Sequence, residues 1–315
     1  MDRQTRREFL ARSAAAGGLL ALRTGDWASG WAAEADQPVD MAIARWTGPI
    51  EPTPGSLQQI AAKLTQQAIA GLGGLRRFVT KGSVVWVKPN IGWDRSPELA
   101  ANTNPDVVAT LVRLCFEAGA KTVKVGDNTC NPAQKAYETS GIAAAVKPLG
   151  AEVVFLDRSR FREAEIGGER LKTIPIYPAI VDCDLVINVP VVKHHVLATL
   201  TMCMKNYMGV IEKRASLHQD MATSLCDLTR YMKPRISVLD SVRVLTAHGP
   251  TGGNPADVQV KTTVAAGVDI VALDAFGAEI MGKAPRDVAS ILKAEQVGLG
   301  KADYRSLVLR EFSVS

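Results

Sequence analysis

The stretch Leu185-Val-Ile-Asn-Val189 decides the fold, because it is an almost continuous apolar run of strand length. Runs of this kind are typical of strands that are buried on both faces, as in parallel sheets covered by helices. Similar runs occur at 83–87 and 236–239, and amphipathic stretches of helix length lie between them. This alternation predicts an α/β fold, namely a single doubly wound domain with a mostly parallel sheet flanked by helices.

The other predicted elements extend this alternation over most of the chain, without an internal repeat or a low-complexity linker. Strands are predicted at 39–46, 83–87, 122–125, 152–156, 184–189, 236–239, 258–265 and 307–312. Helices are predicted at 56–71, 105–118, 132–149, 269–281 and 285–294, the first of them capped by its serine. A further helix that starts near Leu197 would place Thr201 and Lys205 four residues apart on one face.

The N-terminal sequence Thr5-Arg-Arg-Glu-Phe-Leu10, followed by the weakly apolar run from Ala14 to Leu22, has the layout of a secretory signal. Its paired arginine before Phe-Leu resembles the twin-arginine export signal. We therefore predict a signal peptide at 1–33, recognition by the twin-arginine export machinery, and a periplasmic or extracellular location for the α/β domain at 34–315. The alternative is a basic amphipathic helix at the terminus.

Composition excludes several other classes of protein. The leader carries five arginines and three carboxylates, so its removal lowers the net charge from +5 to +3, which is too mild for a nucleic-acid-binding protein. The five cysteines contain no C-x-x-C pair, so the chain has no iron–sulfur cluster motif. Beyond the leader, no run approaches the roughly 20 apolar residues that span a bilayer, and no stable membrane insertion is expected after cleavage.

Polar clusters follow four of the predicted strands. They are Lys88-Pro-Asn90, Asp127-Asn128, Lys193-His-His195 and Asp240. In open parallel sheets, ligands bind beyond the carboxyl ends of the strands, so these clusters are expected to converge on one rim. The alternative is that the Asn and Asp residues are helix caps and turn formers.

Two further segments complete the predicted site. Lys205 and Asn206 lie in a mostly apolar stretch, where a lysine is expected either to meet an anion or to extend its ammonium group to the surface. The run His248-Gly-Pro-Thr-Gly-Gly253 is typical of a loop that exposes backbone N–H groups to an anion, or of a plain turn. It matches neither common phosphate-binding glycine motif.

Taken together, these residues predict a site with the following roles. His195 is a metal ligand or general base, and Asp127 and Asp240 are ligands or acid/base groups. His195 and Asp127 are thus the candidate ligands of a divalent metal. Lys205 is predicted to be a catalytic residue that holds an anionic group. The predicted ligand-binding residues are Lys88, Asn90, Asn206, Gly249, Thr251, Gly252 and Gly253. A copper site built from Met202, Cys203 or Met208 is a weaker alternative, since such residues usually fill cores.

The chain resembles the family known as domain of unknown function 362. The resemblance rests on motifs that keep the family's order: Lys88-Pro-Asn90, Gly126-Asp127, Asn188-Val-Pro190 with Lys193-x-His195, Thr201 with Lys205-Asn206-x-x-Gly209, Asp240 with Gly249-Pro-Thr-Gly-Gly253, and Asp269-x-x-x-x-Asp274. Some relatives carry ferredoxin-like iron–sulfur modules, which implies redox or metal surroundings. This chain departs from them because it lacks such a cysteine module.

Two hypotheses about function follow. The first is an exported enzyme whose rim binds a divalent metal or a small anionic substrate. The second is a non-catalytic periplasmic accessory protein that binds a cofactor or partner during the assembly of redox enzymes. A deep pocket would favour the enzyme, whereas a broad exposed apolar patch would favour the accessory protein.

Overall fold

The computed structural model describes residues 37–51 and 55–315. Its fold is built around a central sheet. The predicted signal peptide lies outside the described residues. The strands are β1 Met41–Trp46, β2 Val84–Pro89, β3 Thr122–Val125, β4 Glu152–Val153, β5 Arg162–Glu165, β6 Thr173–Ile176, β7 Leu185–Val189, β8 Val191–His195, β9 Thr199–Thr201, β10 Ile236–Leu245, β11 Val258–Gly267 and β12 Leu309–Val314. The α-helices are α1 Ser56–Gly71, α2 Pro105–Glu117, α3 Ala133–Thr139, α4 Ile142–Val146, α5 Pro178–Val181, α6 Cys203–Asn206, α7 Met221–Met232, α8 Ile270–Ile280 and α9 Ala289–Gln296.

The main sheet has the order β12-β1-β11-β10-β7-β2-β3-β4, with β8 paired to β10 and β9 paired to β8. The strands from β10 to β4 run parallel, whereas β11 is antiparallel to both β1 and β10. The predicted α/β fold with a mostly parallel, helix-flanked sheet is therefore confirmed. It is a mixed sheet in detail, because β11 returns as the long second arm of a hairpin with β10.

The strand order reverses between β2 and β7. The chain leaves β2 for β3 on one side, and after β4 it crosses back to place β7 on the other side. At such a reversal the connecting loops diverge and leave a crevice beyond the carboxyl ends of the strands. Asn90, which follows β2, and Asp127, which follows β3, lie at this edge together with Lys193 and His195 of β8, the strand that follows β7.

Helices cover both faces of the sheet, as the alternation along β2 shows. Val85 and Val87 pack into one buried apolar cluster, with Leu64 of α1 and Leu111 of α2. Trp86 points the other way, into a second cluster that contains residues of α7 to α9. Because both faces of the sheet are buried, its central strands contain few polar residues before the edge at their carboxyl ends. Within the described part of the chain, no helix is long and apolar enough to cross a membrane.

Several local predictions were wrong. The helix predicted at 132–149 is broken into α3 and α4 at Gly141, which has φ 73°. No helix starts near Leu197; the chain forms the β8–β9 hairpin instead, and Lys193 pairs with Thr201 across it. Helix α1 is preceded by Gly55 as its N-cap, so Ser56 is its first residue rather than its cap.

Candidate functional site

A cavity of about 500 Å³ lies at the edge where β2, β3 and β7 end. Its lining residues come from the loops after these strands, from the β8–β9 hairpin and from the segment after β9. They are Asn90, Gly92, Trp93, Asp127, Asn128, Cys130, Lys193, His195, Val196, Leu197, Thr201, Lys205, Asn206, Met208, Gly209, Arg214, His218 and Pro250. The structure thus brings together three of the four predicted strand-end clusters, together with Lys205 and Asn206.

A buried ion pair forms the floor of this cavity. Lys88 Nζ lies 2.7 Å from Asp127 Oδ1, and both side chains are almost fully buried. Asp127 Oδ2 accepts a hydrogen bond from Ile91 N at 2.8 Å, so both carboxylate oxygens are engaged. Burial lowers the pKa of Lys88, and the charge of Asp127 opposes this effect. The pair therefore neutralises itself and adds little net charge to the cavity.

The ion pair on the floor leaves no room for a side chain at Gly209. A Cβ atom at this position would lie 1.8 Å from Asp127 Oδ1 and 2.7 Å from Lys88 Nζ. Its carbonyl oxygen also accepts a hydrogen bond from Asn128 N at 3.0 Å. The glycine of the Lys205-Asn206-x-x-Gly209 motif thus lets the backbone after α6 pack directly on the ion pair.

Three asparagines connect the sheet to the cavity through their side-chain amides. Asn206 Nδ2 donates to Asn188 Oδ1 at 2.9 Å, and Asn90 Nδ2 donates to Asn206 Oδ1 at 3.0 Å. Asn90 Oδ1 in turn accepts from Lys193 Nζ at 3.0 Å, and Lys193 also donates to Ala101 O at 2.5 Å. The predicted residues Asn90 and Asn206 therefore position the ammonium group of Lys193.

Two lysines of the cavity, Lys193 and Lys205, have lowered pKa values because they are buried and neither forms an ion pair with a carboxylate among the described residues. Burial lowers the pKa of Lys193 to about 7, and the nearby charge of Lys205 acts in the same direction. Burial likewise lowers the pKa of Lys205 to about 8, with a further contribution from Arg214. Groups that titrate near neutral pH in a cleft are typical of sites that bind or transform ligands.

His195 is held in one tautomer. Its Nδ1 accepts hydrogen bonds from Leu197 N at 3.1 Å and Ala198 N at 3.2 Å. Burial, followed by the charges of Lys205 and Lys193, lowers the pKa of the imidazole to about 3. A neutral imidazole with an accepting Nδ1 carries its proton on Nε2. In this tautomer the ring presents a hydrogen-bond donor where a general base or metal ligand needs a lone pair. This argues against the role of His195 as base or ligand, which stays a prediction.

Arg214 was missed by the sequence analysis. Its side chain donates to Met208 O at 3.2 Å, to Cys130 Sγ at 2.7 Å and to the carbonyl oxygen of Asn128. The charge is therefore held in place by neutral acceptors and by a thiol. No motif surrounds Arg214 in the sequence, so only the fold could place it here.

Thr201 has an unused hydroxyl group. The residue is 3% exposed and lines the cavity, yet its Oγ1 has no hydrogen-bond partner among the described residues. A buried hydroxyl without a partner costs free energy that a bound ligand can recover. From the sequence, Thr201 was named in a motif and on a predicted helix face with Lys205, but not among the predicted site residues.

Asp240 and most of the glycine loop lie outside the cavity. Asp240 lies within β10 rather than after a strand; its Oδ2 accepts from Asn104 N at 2.7 Å and its Oδ1 from Val242 N at 3.0 Å. Burial raises the pKa of this carboxyl group to about 6. Both oxygens bind backbone N–H groups, and Asp240 is not among the residues that line the cavity. These contacts favour a structural role, and its role as a ligand or acid/base group stays a prediction.

The loop after β10 is also placed differently from the prediction. Pro250 lines the cavity, whereas Gly249, Thr251, Gly252 and Gly253 do not. Gly249 N donates to His194 Nδ1 at 3.1 Å, and a Cβ atom on Gly249 would lie 2.0 Å from the carbonyl oxygen of His194. The glycine therefore serves close packing against the β8–β9 hairpin.

The predicted metal ligands do not form a cluster. Among the residues that the structure describes, no group of three or more His, Cys, Asp or Glu side chains is placed to hold a metal ion. For the copper alternative, Met202 and Cys203 lie in the apolar core and only Met208 reaches the cavity. The donor set of the cavity is dominated by cations and amides instead.

The chain is 27% identical over 237 residues to the thylakoid-associated protein sll1697 of Synechocystis sp. (strain PCC 6803), and the alignment covers 72% of each protein. The solved structure of the lactate racemase apoprotein from Thermoanaerobacterium thermosaccharolyticum matches with a TM-score of 0.48 and 12% identity, covering 78% of this chain and 58% of that chain. The family model described as domain of unknown function (DUF362) matches residues 85–279. Because this match contains the floor of the cavity, its cations and more than half of the chain, the protein belongs to the DUF362 family, as the sequence motifs predicted.

Proposed function

We propose that the cavity binds a small organic anion and that the protein acts on this anion as an enzyme. One observation carries the proposal: Lys193, Lys205 and Arg214 line a single cavity, and the carboxylate that shares it, Asp127, is already paired with Lys88. Unpaired positive charge in a partly buried cleft attracts and holds anions. The site therefore has a charge that a ligand is needed to balance.

The neutral groups of the cavity support an organic ligand. The Nε2–H group of His195 can donate a hydrogen bond, and the unpartnered hydroxyl of Thr201 can donate or accept one. Trp93, Leu197 and Pro250 provide apolar surface beside the cations. An apolar lining with a few placed polar groups is typical of small-molecule sites, whose volumes are roughly 300–1,000 Å³.

An accessory role is the second candidate. Val196 and Leu197, at the tip of the β8–β9 hairpin, are 72% and 64% exposed beside the mouth of the cavity. These two side chains offer a partner protein an apolar contact, but they form a small patch compared with the cavity. Two lysines that titrate near neutral pH favour the enzyme, because proton transfer is most efficient when the pKa lies near the working pH.

A divalent metal is a weaker proposal than an anion. The oxygens of Asp127 are taken by Lys88 and Ile91, and the Nδ1 atom of His195 is taken by backbone N–H groups. A metal at this point would displace the ion pair on the floor. The cationic surroundings also oppose the binding of a second positive charge.

We further propose that the protein is exported by the twin-arginine route. The support is the sequence Thr5-Arg-Arg-Glu-Phe-Leu10 and the apolar run after it. Replacing Arg6 and Arg7 by lysine in the full chain should retain the protein in the cytoplasm of the producing cells, as measured by cell fractionation. Unchanged export of this variant would remove the proposal.

Anion binding can be tested with malonate and inorganic phosphate as probes. We expect either probe to raise the melting temperature of the full chain and to bind in calorimetry. The variants Lys205→Met and Arg214→Gln should each weaken binding by roughly tenfold or more, since one buried charge contact contributes about 1.5–3 kcal/mol. Lys261→Met is the matched control, because Lys261 is exposed and lies outside the cavity.

Measurement of turnover distinguishes the enzyme from the accessory protein. If the probes bind and a panel of small carboxylates and phosphate esters gives a product, the enzyme is supported. Binding without turnover, together with loss of a partner when Val196 and Leu197 are changed to serine, would support the accessory protein. If neither probe binds to the wild-type chain, the anion proposal is refuted.

A further inference from the structure

Lys205 differs from the other cations of the cavity in its contacts. Its Nζ donates to a thioether, Met208 Sδ, at 3.3 Å, and it takes part in none of the ion pairs of the described residues. By contrast, Lys193 Nζ donates to two oxygen acceptors, and Lys88 is held by Asp127. A thioether is a weak acceptor. The amine of Lys205 can therefore lose its proton without breaking a strong hydrogen bond.

The surroundings of Lys205 favour this loss of a proton. Burial lowers its pKa to about 8, and the charge of Arg214 adds to the effect. Roughly a quarter of the groups are then neutral at pH 7.5, compared with about one in a thousand for an ordinary lysine. A lysine that is desolvated beside another cation is an activated nucleophile. Its side chain remains partly exposed, so a ligand can reach the nitrogen.

The neighbouring groups fit a ligand that carries both a carbonyl group and a carboxylate. Arg214 supplies the positive charge that a carboxylate needs, and a bound carboxylate would favour the protonated, charged form of Lys193. The buried hydroxyl of Thr201, which has no partner among the described residues, and the Nε2–H group of His195 can donate to the carbonyl oxygen. The site thus combines a nucleophile, a carboxylate binder and carbonyl donors within one cavity.

We propose that Lys205 forms an imine with an oxo acid, that is, a small carboxylate with an adjacent aldehyde or ketone. The inference rests on the proposed function, since the carboxylate is the anion. The lone pair of the neutral amine attacks the carbonyl carbon, a C–N bond forms, and the electron pair of the C=O bond moves to oxygen, which takes up a proton. The nitrogen then loses a proton, the hydroxyl takes up a second proton and leaves as water with the C–O bond pair, and the lone pair of the nitrogen forms the C=N bond. A neutral amine, a carbonyl and one proton thus give a protonated imine and water, without an oxidant or reductant. The protonated imine keeps a positive charge beside the carboxylate.

Reductive trapping with glyoxylate tests this inference. The full chain is incubated with glyoxylate and cyanoborohydride, which converts an imine into a stable carboxymethyl group on the lysine, and the modified peptide is mapped by mass spectrometry. We expect Lys205 to be modified at least roughly tenfold faster than the exposed Lys261, because far more of its amine is neutral. The Lys205→Arg variant should lose this modification, whereas Lys261→Arg should leave the rate at Lys205 unchanged.

Malonate distinguishes the imine proposal from the anion-binding proposal, because it has two carboxylates and no reactive carbonyl. It can therefore occupy the anion site but cannot form an imine. Protection of Lys205, but not of Lys261, by excess malonate would support the inference even if Lys205→Arg does not fold. If malonate stabilises the wild-type chain but Lys205 is modified no faster than Lys261, the imine is refuted and anion binding stands. If neither malonate nor phosphate binds to the wild-type chain and Lys205 is modified no faster than Lys261, both proposals fail.

Discussion

Replacing Gly209 by alanine should destabilise the whole domain through the ion pair on the cavity floor. The added Cβ would lie 1.8 Å from Asp127 Oδ1, whereas ordinary contacts begin at 3.4 Å, so about 1.6 Å must be gained by movement. The nearby atoms are a buried carboxylate and the ammonium group bound to it, and moving either one separates the pair. Breaking a buried pair costs about 3–5 kcal/mol, and overpacking alone costs about 1–3 kcal/mol. We therefore expect the free energy of unfolding to fall by about 3–5 kcal/mol.

Urea denaturation followed by circular dichroism measures this loss, and a melting temperature lower by roughly 10 °C should accompany it. Gly92→Ala is the matched control. Gly92 lines the same cavity, but a Cβ there would lie 3.6 Å from its nearest neighbour, Asn90 Oδ1. This variant should be within about 1 kcal/mol of the wild type. If Gly209→Ala unfolds at the same urea concentration as Gly92→Ala, the floor is not rigid and the reasoning is refuted.

Three further predictions concern the ligand and the site. Bound malonate should raise the pKa of Lys193 and Lys205 above about 7 and about 8, so its affinity, measured by calorimetry, should fall as the pH rises through 7 to 9. A flat profile over this range would exclude these lysines from binding. Asp240→Asn should lower the free energy of unfolding by about 1–3 kcal/mol, because one backbone N–H loses its acceptor. Malonate affinity in the folded protein should stay the same. A large loss of affinity would instead show that Asp240 belongs to the site. Dialysis against EDTA should leave malonate affinity within about twofold, and a greater loss, reversed by one divalent metal, would establish a metal at the site.

Much of the fold could be predicted because apolar runs report directly on buried strands. The limits of β3 were predicted to the residue, and the clusters after β2, β3 and β7 converge as expected. That convergence follows from parallel strands alone, since their carboxyl ends share one edge. Lys88 and Asp127 were therefore correctly placed near each other from the sequence, 39 positions apart.

Other parts of the site could not be predicted, because they depend on contacts between distant segments. The long antiparallel pairing with β11 extends β10 beyond Asp240. Asp240 was expected to follow the end of the strand and instead lies inside it. The segment after Val191 forms a hairpin because it pairs with β10 and with itself, and the helical spacing of Thr201 and Lys205 has no meaning there. Arg214 lies in an ordinary polar stretch, and nothing local shows that its charge turns toward the cavity.

The floor of the cavity and the tip of the β8–β9 hairpin are under different physical constraints. The floor leaves no room for a side chain at position 209, because a Cβ atom there would lie 1.8 Å from Asp127 Oδ1 and 2.7 Å from Lys88 Nζ. The hairpin tip, with exposed Val196 and Leu197, contacts the cavity without supporting the sheet. Substitutions at the tip can therefore change which ligands are accepted while the chain still folds, as is common for loops on a rigid scaffold. If the proposed anion binding holds, relatives with the same floor and different tips are expected to differ in the anions that they bind.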